Sequence, residues 1–261
     1  MRKNFNIVGD KPINIKWEKH LSSDAKSLDV SVWRGNSAGG KFESFQVPDQ
    51  KNQTILDIVV WIQQNLDPSL AYRYACRVGM CGSCAMMVNG QPRWTCRTHV
   101  KRVVQGNRLE IAPLRNLPVI IDLATDMDPF FAKWVQAEGV FHPTLTRDDE
   151  ISRVDPSDSQ RVKADAAIEC INCAVCYASC DTVSGNPDYL GPAALNRAWT
   201  LVNDIKDGDR AGILDAVSEG GGCHNCHSQG SCAKFCPNEL SPITSIAGLK
   251  SETFKSLFRR Q

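Results

Sequence analysis

Cysteine is the residue type whose number and spacing could do chemistry in this 261-residue chain, since the sequence contains 12 of them. Four lie close together in the first half: Cys76, Cys81, Cys84 and Cys96. Their C-x4-C-x2-C spacing, with a fourth cysteine farther on, is typical of a plant-type [2Fe-2S] cluster. Gly79 and Gly82 lie inside the loop and would let backbone N–H groups approach the sulfurs. Zinc is the alternative, but zinc ligand pairs usually lie about two to four residues apart, and the loop contains no histidine.

A second set of cysteines forms an internal repeat in the second half of the chain. Its first run is Cys170, Cys173, Cys176 and Cys180, and the positions 56 residues later are Cys226, Gln229, Cys232 and Cys236. A C-x2-C-x2-C-x3-C run therefore occurs twice, with one ligand replaced. In two-cluster ferredoxins the fourth cysteine of each run ligates the cluster of the other run. The repeat thus predicts a [4Fe-4S] cluster on Cys170, Cys173, Cys176 and Cys236.

The second cluster of the repeat is left with three cysteines, Cys180, Cys226 and Cys232. Gln229 occupies the fourth position, and a neutral amide is a poor substitute for the soft thiolate that these irons prefer. This favours a three-iron [3Fe-4S] cluster. The alternative is a four-iron cluster that uses Cys223, which is out of register with the repeat. Residues 223–227 also spell the C-x-x-C-H pattern of haem attachment, but haem would consume Cys226 and leave the second cluster with two ligands.

The patterns around these cysteines indicate two structural halves. Alternating Leu28, Val30 and Val32, a turn at Gly39–Gly40 and a helix after the capping box of Thr54 and Asp57 predict a mixed sheet with one helix. A strand pair around the turn Asn89–Gly90 completes it. A further helix should begin at Asp128–Pro129 and end near Gly139. Later helical patterns span residues 192–202, 210–217 and 242–258 and predict a mostly α second half.

Charge and hydropathy exclude some classes of partner. With 30 basic and 29 acidic side chains, the chain lacks the broad positive charge on which non-specific nucleic-acid binding depends. Its best apolar run, residues 55–66, falls short of the roughly 18 consecutive apolar residues of a membrane span. The first twenty residues show no signal-peptide pattern. We therefore expect no nucleic-acid partner, a reducing compartment, and membrane contact only through a partner or the surface.

The motifs CRVGMCGSC, CINCAVCYASC and CHSQGSCAKFCP, taken in order, resemble the iron–sulfur subunit of succinate dehydrogenase and quinol:fumarate reductase, roughly over residues 28–241. The resemblance implies the α+β class. After an N-terminal extension, residues 1–27, a β-grasp ferredoxin domain would span residues 28–127 and an α-helical two-cluster ferredoxin domain residues 128–261. It also implies an electron relay between an FAD-bearing flavoprotein subunit, which acts on succinate or fumarate, and membrane quinone. Small membrane-anchor subunits, with or without haem, would hold the chain at the cytoplasmic face of the inner membrane.

The resemblance also points to a quinone pocket beside the second cluster of the repeat. The matching positions in this sequence are Asp181, Thr182 and His227. An alternative function is the iron–sulfur carrier of a soluble flavoprotein-linked reductase without a membrane anchor. A dehydratase or radical enzyme would need an iron with an open coordination position, but the repeat supplies four thiolates to its four-iron cluster.

Overall fold

The computed structural model describes residues 26–259, with strands in the first half and helices in the second. The predicted N-terminal extension, residues 1–27, lies outside the described residues except for its last two, and so does the region examined for a signal peptide. The first half contains β1 (Ser27–Asn36), β2 (Gly39–Pro48), α1 (Ile55–Asn65), β3 (Ala85–Val88), β4 (Gln91–Trp94), β5 (Arg108–Ala112), β6 (Val119–Ile121) and β7 (Ala124–Thr125). Within the described residues these strands form one sheet in the order β4-β3-β5-β1-β6-β7, with β2 paired to β1.

Strand β1 lies inside the sheet, where it pairs antiparallel with β2 and parallel with β5. Its alternating side chains form an apolar face that packs against α1. Val30 and Val32 are fully buried and share a core with Ile58 and Ile62 of α1. This confirms the predicted mixed sheet with one helix. The predicted turn at Gly39–Gly40 is wrong by two residues, because the turn lies at residues 37–38, where the Asn36 side chain accepts a hydrogen bond from the Ala38 amide (2.9 Å).

Helix α1 begins at the predicted capping box. The Thr54 hydroxyl accepts a hydrogen bond from the Asp57 amide (3.2 Å), and the Asp57 carboxylate accepts one from the Thr54 amide (3.0 Å). Two amides at the start of the helix, which have no partner within it, are thereby satisfied.

Thr54→Ala should lower the free energy of unfolding by about 1 kcal/mol, because one of these amides loses its acceptor. For a protein of this size the expected fall in Tm is about 2–4 °C, measurable by thermal unfolding followed by circular dichroism. Thr54→Ser is the control, since serine keeps the accepting oxygen. An equal fall in the serine variant would contradict this role for the cap.

The second half is built around α6, which is buried along almost its whole length. Its helices are α2 (Asp128–Gln136), α3 (Ser159–Ile168), α4 (Val175–Ala178), α5 (Asp181–Gly185), α6 (Gly191–Val202), α7 (Arg210–Ser218), α8 (Ser231–Lys234) and α9 (Pro242–Arg259). Helices α3, α7 and α9 pack against α6. The helical patterns at residues 192–202, 210–217 and 242–258 are thus confirmed as α6, α7 and α9.

The two halves share an apolar core, so they hold each other in a fixed arrangement. Met87 and Leu117 belong to the same buried cluster as the residues of α4 and α6. Phe130 of α2 is buried and meets the ring of Tyr177 edge to face, with 5.5 Å between ring centroids. None of the helices within residues 26–259 is both long enough and apolar enough to span a membrane.

Candidate metal centres

The loop between α1 and β3 arranges its backbone around the sulfur of Cys76. The amides of Val78, Met80 and Cys81 lie 3.5, 3.2 and 3.3 Å from Cys76 Sγ. Positive φ angles at Arg77 (58°) and Gly79 (78°) let the chain curl in this way. Successive N–H groups that point at one sulfur offset a negative charge there.

Of the other three cysteines of this set, Cys81 is exposed on the loop, whereas two lie on its protein side. Cys84 and Cys96 are buried and pack against Leu56 of α1. Burial, with Cys84 close by, raises the pKa of Cys96 to about 12, whereas the three amide contacts lower the pKa of Cys76 to about 6. This set of cysteines therefore combines a thiol that is already ionised near neutral pH, Cys76, with one that loses its proton only when a cation binds, Cys96.

In protein from which iron has been removed, we expect iodoacetamide to label Cys76 before the buried cysteines. The reaction requires the thiolate, and a pKa of about 6 for Cys76 means that the thiolate predominates above that pH. The labelling rate should fall as the pH drops through about 6. Mass spectrometry of peptides from pH 5 to 8 would measure it, with the partly buried Cys173, whose pKa is about 12, as the internal control. A Cys76 rate that still rises tenfold per pH unit above pH 7 would contradict the assignment.

The four cysteines predicted to hold a four-iron cluster line one cavity, although Cys236 is 60 residues away from the others in the sequence. Cys170 and Cys173 come from the segment that leads into α4, Cys176 lies within α4, and Cys236 follows α8. Burial raises the pKa of Cys173 to about 12 and that of Cys176 well above its usual range. Thiols whose pKa is raised in this way, such as those of Cys173 and Cys176, become thiolates only around a positively charged core.

A second cavity gathers the remaining ligands of the repeat. It is lined by Cys180, Cys226 and Cys232, with Gln229 on the same wall. The amide of Ser228 donates to Cys226 Sγ over 3.4 Å. Burial, with the Cys180 and Cys226 thiols close by, raises the pKa of Cys232 to about 11. Sequence reasoning missed Tyr189, a buried side chain on this cavity whose pKa is raised by burial and by the Cys226 thiol beside it.

Cys223 is held away from this second cavity. Its side chain is fully buried, and its sulfur lies 3.9 Å from Thr253 Oγ1 on α9. His224 Nε2 is 3.0 Å from the same hydroxyl. Cys223 therefore packs beneath the last helix, whereas Cys226 faces the cavity.

Of the three residues predicted for the quinone pocket, the structure brings two together and turns the third away. Thr182 and His227 line the second cavity beside the cysteines. Asp181 instead faces the protein surface, where its carboxylate lies 3.2 Å from Arg115 Nη2. Both side chains of this ion pair are half exposed or more, so the pair adds little stability.

A link between the two halves next to Cys180 was not predicted. Asn116, which has a φ of 64°, donates from its side-chain amide to the carbonyls of Tyr177 (2.8 Å) and Cys180 (3.1 Å). Arg115 Nε donates to the carbonyl of Ala178 (3.2 Å). These contacts anchor the end of α4 to the first half. No local pattern marks Asn116, because its partners are more than 60 residues away.

The donor set fits iron–sulfur clusters. All twelve cysteines are free thiols; ten of them lie in the first loop or on the two cavities, and Cys96 packs beside Cys84 of the loop. Within residues 26–259, no three His, Cys, Asp or Glu side chains converge on the position of a single ion. Seven of the sulfurs line the walls of the two cavities, as ligands do when an inorganic core lies between them.

Comparisons with known proteins match each half of the chain to a family of iron–sulfur domains. A family of 2Fe-2S iron-sulfur cluster binding domains matches residues 29–132, and a family of 4Fe-4S dicluster domains matches residues 169–241. The chain is 32% identical over 224 residues to the fumarate reductase iron-sulfur subunit of Haemophilus influenzae, covering 81% of this chain and 86% of that protein. It is 33% identical over 228 residues to the protein of the same name from Mycobacterium tuberculosis, covering 85% and 90%.

The chain belongs to the family of fumarate reductase iron–sulfur subunits. In structure, this iron–sulfur subunit resembles a chain of the Mycobacterium smegmatis Sdh1 complex in the apo form, with a TM-score of 0.78 and 24% identity, covering 90% of this chain and 98% of that one. The predicted α+β class, with a ferredoxin-like half before a helical two-cluster half, is confirmed. An electron-relay subunit of an oxidoreductase complex is also confirmed, and the comparisons do not favour the carrier of a soluble reductase.

Proposed function

We propose that this subunit passes single electrons between a flavin-bearing partner subunit, which acts on succinate or fumarate, and quinone in the membrane. Eleven cysteines would hold three clusters in series. The observation that carries the proposal is that ligands from both runs of the repeat mix in each of two cavities. When bound, iron–sulfur clusters supply one-electron redox chemistry at potentials set by cluster type, hydrogen bonds to sulfur and burial.

The proposed ligand sets correspond to the first loop and to the two cavities. Cys76, Cys81, Cys84 and Cys96 would hold the [2Fe-2S] cluster; Cys170, Cys173, Cys176 and Cys236 the [4Fe-4S] cluster; and Cys180, Cys226 and Cys232 the [3Fe-4S] cluster. Gln229 stands where the fourth ligand of the third site would be, and Cys223 is held under α9. Both placements support a three-iron occupant. With a domain boundary between residues 127 and 128, the first site would belong to a β-grasp domain and the other two sites to an α-helical domain.

The protein's own contribution is spacing and polarity. The short helix α4 carries Cys176 and lies between Cys173 and Cys180, so it connects ligands of the second site with a ligand of the third. The amides around Cys76 stabilise negative charge at the first site, whereas the cavity of the second site is apolar and burial raises the pKa of Cys176 there. The three proposed sites would thus follow one another with different surroundings.

Surface features support partners at the two ends of the row. Val78 and Met80 on the first loop are 59% and 69% exposed, an apolar surface suited to a flavoprotein subunit. Thr182 and His227 beside the third site are the residues we propose near the quinone, while Asp181 would act only from the surface. Small membrane-anchor subunits, with or without haem, would place this end at the cytoplasmic face of the membrane.

Low-temperature EPR of the complex purified in detergent tests the proposal. The oxidised complex should show a three-iron signal, and reduction should add the two-iron and four-iron signals. Iron and acid-labile sulfide should equal the sum of a two-, a four- and a three-iron cluster. Small hydrophobic subunits should co-purify. Folded protein that contains zinc in place of iron would overturn the cluster assignments, whereas a complex without hydrophobic subunits would overturn only the membrane anchor.

A further inference from the structure

The first loop and the run that leads into α4 meet at a single glycine. Gly82 directly follows Cys81, and its α-carbon lies against Cys173, one of the proposed four-iron ligands. Gly82, Ser83 and Cys173 also line one cavity between the two halves. The contact thus joins a residue adjacent to one ligand set with a member of the next.

Only glycine fits at this position. A Cβ on residue 82 would lie 2.6 Å from Cys173 Cβ, 2.7 Å from its Cα and 3.1 Å from its backbone nitrogen. Two of these distances are shorter than real Cβ contacts, and the atoms are backbone or the stem of a ligand, so they cannot swing away. Gly82 also has a φ of 69°, a conformation that glycine adopts without strain. The sequence motif suggested that Gly82 helps amides reach the sulfurs, but the structure gives it this second, steric reason.

We infer that Gly82 is a positioning residue that sets the distance between the first and second redox sites. The inference rests on the cluster assignments proposed above. Any side chain at residue 82 would push the two ligand loops apart. Because electron tunnelling weakens steeply with distance, a small separation would slow the transfer of an electron between these sites while leaving each ligand set complete.

The test compares Gly82→Ala with Gly106→Ala in the purified complex. Gly106 has a φ of 66°, and a Cβ there would meet nothing within 4 Å. Both variants therefore carry the same backbone strain, but only the first has the steric clash. The magnetic interaction between the two reduced clusters is the main readout, measured by EPR as the relaxation enhancement of the two-iron signal. Rapid reduction kinetics give the transfer rate as a second readout.

With both clusters present, Gly82→Ala should show a clearly weaker magnetic interaction and at least a several-fold slower transfer. Gly106→Ala should match the wild type in both. A wild-type interaction in Gly82→Ala would overturn the inference. A wild type without these clusters would instead overturn the proposed function, so the two failures are distinguishable.

If the Gly82→Ala variant does not bind the two-iron cluster, the EPR signal of the four-iron cluster tests the inference. Gly79→Ala is then the comparison, because a Cβ at residue 79 would meet Trp94 at 2.8 Å, within the first half. The inference requires that Gly82→Ala also disturb the four-iron signal through Cys173, whereas Gly79→Ala leaves it unchanged. An undisturbed four-iron signal in Gly82→Ala would contradict the contact.

Discussion

Replacing Gln229 with cysteine should convert the third cluster from a three-iron into a four-iron cluster. Gln229 lines the second cavity together with Cys180, Cys226 and Cys232 and occupies the register position of a fourth ligand. A thiolate there would supply the soft anionic ligand that a fourth iron requires, which the neutral amide does not. The EPR signal of the oxidised three-iron cluster should disappear, because a four-iron cluster in its +2 state is diamagnetic. Iron per chain should rise by one atom relative to the wild type.

The functional effect of Gln229→Cys should be large as well. A change of cluster type shifts the reduction potential, because type and net charge are among the factors that set it. Electron transfer to quinone should therefore slow or stop, while reduction of a dye that accepts electrons earlier in the row continues. Gln229→Ala is the control, since it removes the amide without adding a ligand and should keep the three-iron signal. An unchanged oxidised spectrum in the cysteine variant would show that residue 229 does not face the vacant corner.

The sequence predicted the features that depend on spacing. The capping box before α1 and the periodicity of α6, α7 and α9 are local patterns, and each of them matched the structure in type and approximate position. The repeat offset also anticipated which cysteines share a cavity, because crossed ligation follows from a pseudo-symmetric pair of runs. Such features are encoded within a few residues or by a simple repetition.

The features that escaped prediction depend on contacts between distant segments. Residues 116–128 show no clear hydrophobic period because β6 and β7 are short. Within this segment, the carboxylate of Asp122 accepts hydrogen bonds from the amides of Gly35 (3.1 Å) and Ala71 (2.9 Å). Asn116 reaches the carbonyl of Cys180, and Gly82 meets Cys173. Neither partner can be identified from local composition. The ion pair of Asp181 with Arg115, 66 residues earlier, likewise leaves no trace in the local sequence.

The crossed arrangement of ligands gives the second large prediction. Cys236→Ser should disturb the four-iron cluster and leave the three-iron signal intact, although Cys236 lies in the same run as Cys226 and Cys232. Cys180→Ser should do the reverse, because Cys180 lies in the first run but lines the second cavity. Serine keeps the shape of the side chain but offers a harder oxygen that binds these irons poorly. Each variant should therefore lose one EPR signal almost completely.

Cys223→Ser is the matched control for both variants, since this thiol lies beneath α9, beside Thr253. It should retain both signals of the helical half and wild-type iron content. If Cys223→Ser removed the third signal instead, a four-iron cluster that uses Cys223 would replace the three-iron assignment. If Cys236→Ser removed the three-iron signal and Cys180→Ser the four-iron signal, each run would hold its own cluster, and the two cavities would need a different set of ligands. The mixing of both runs in each cavity favours the crossed result, because it places Cys236 with the first run and Cys180 with the second.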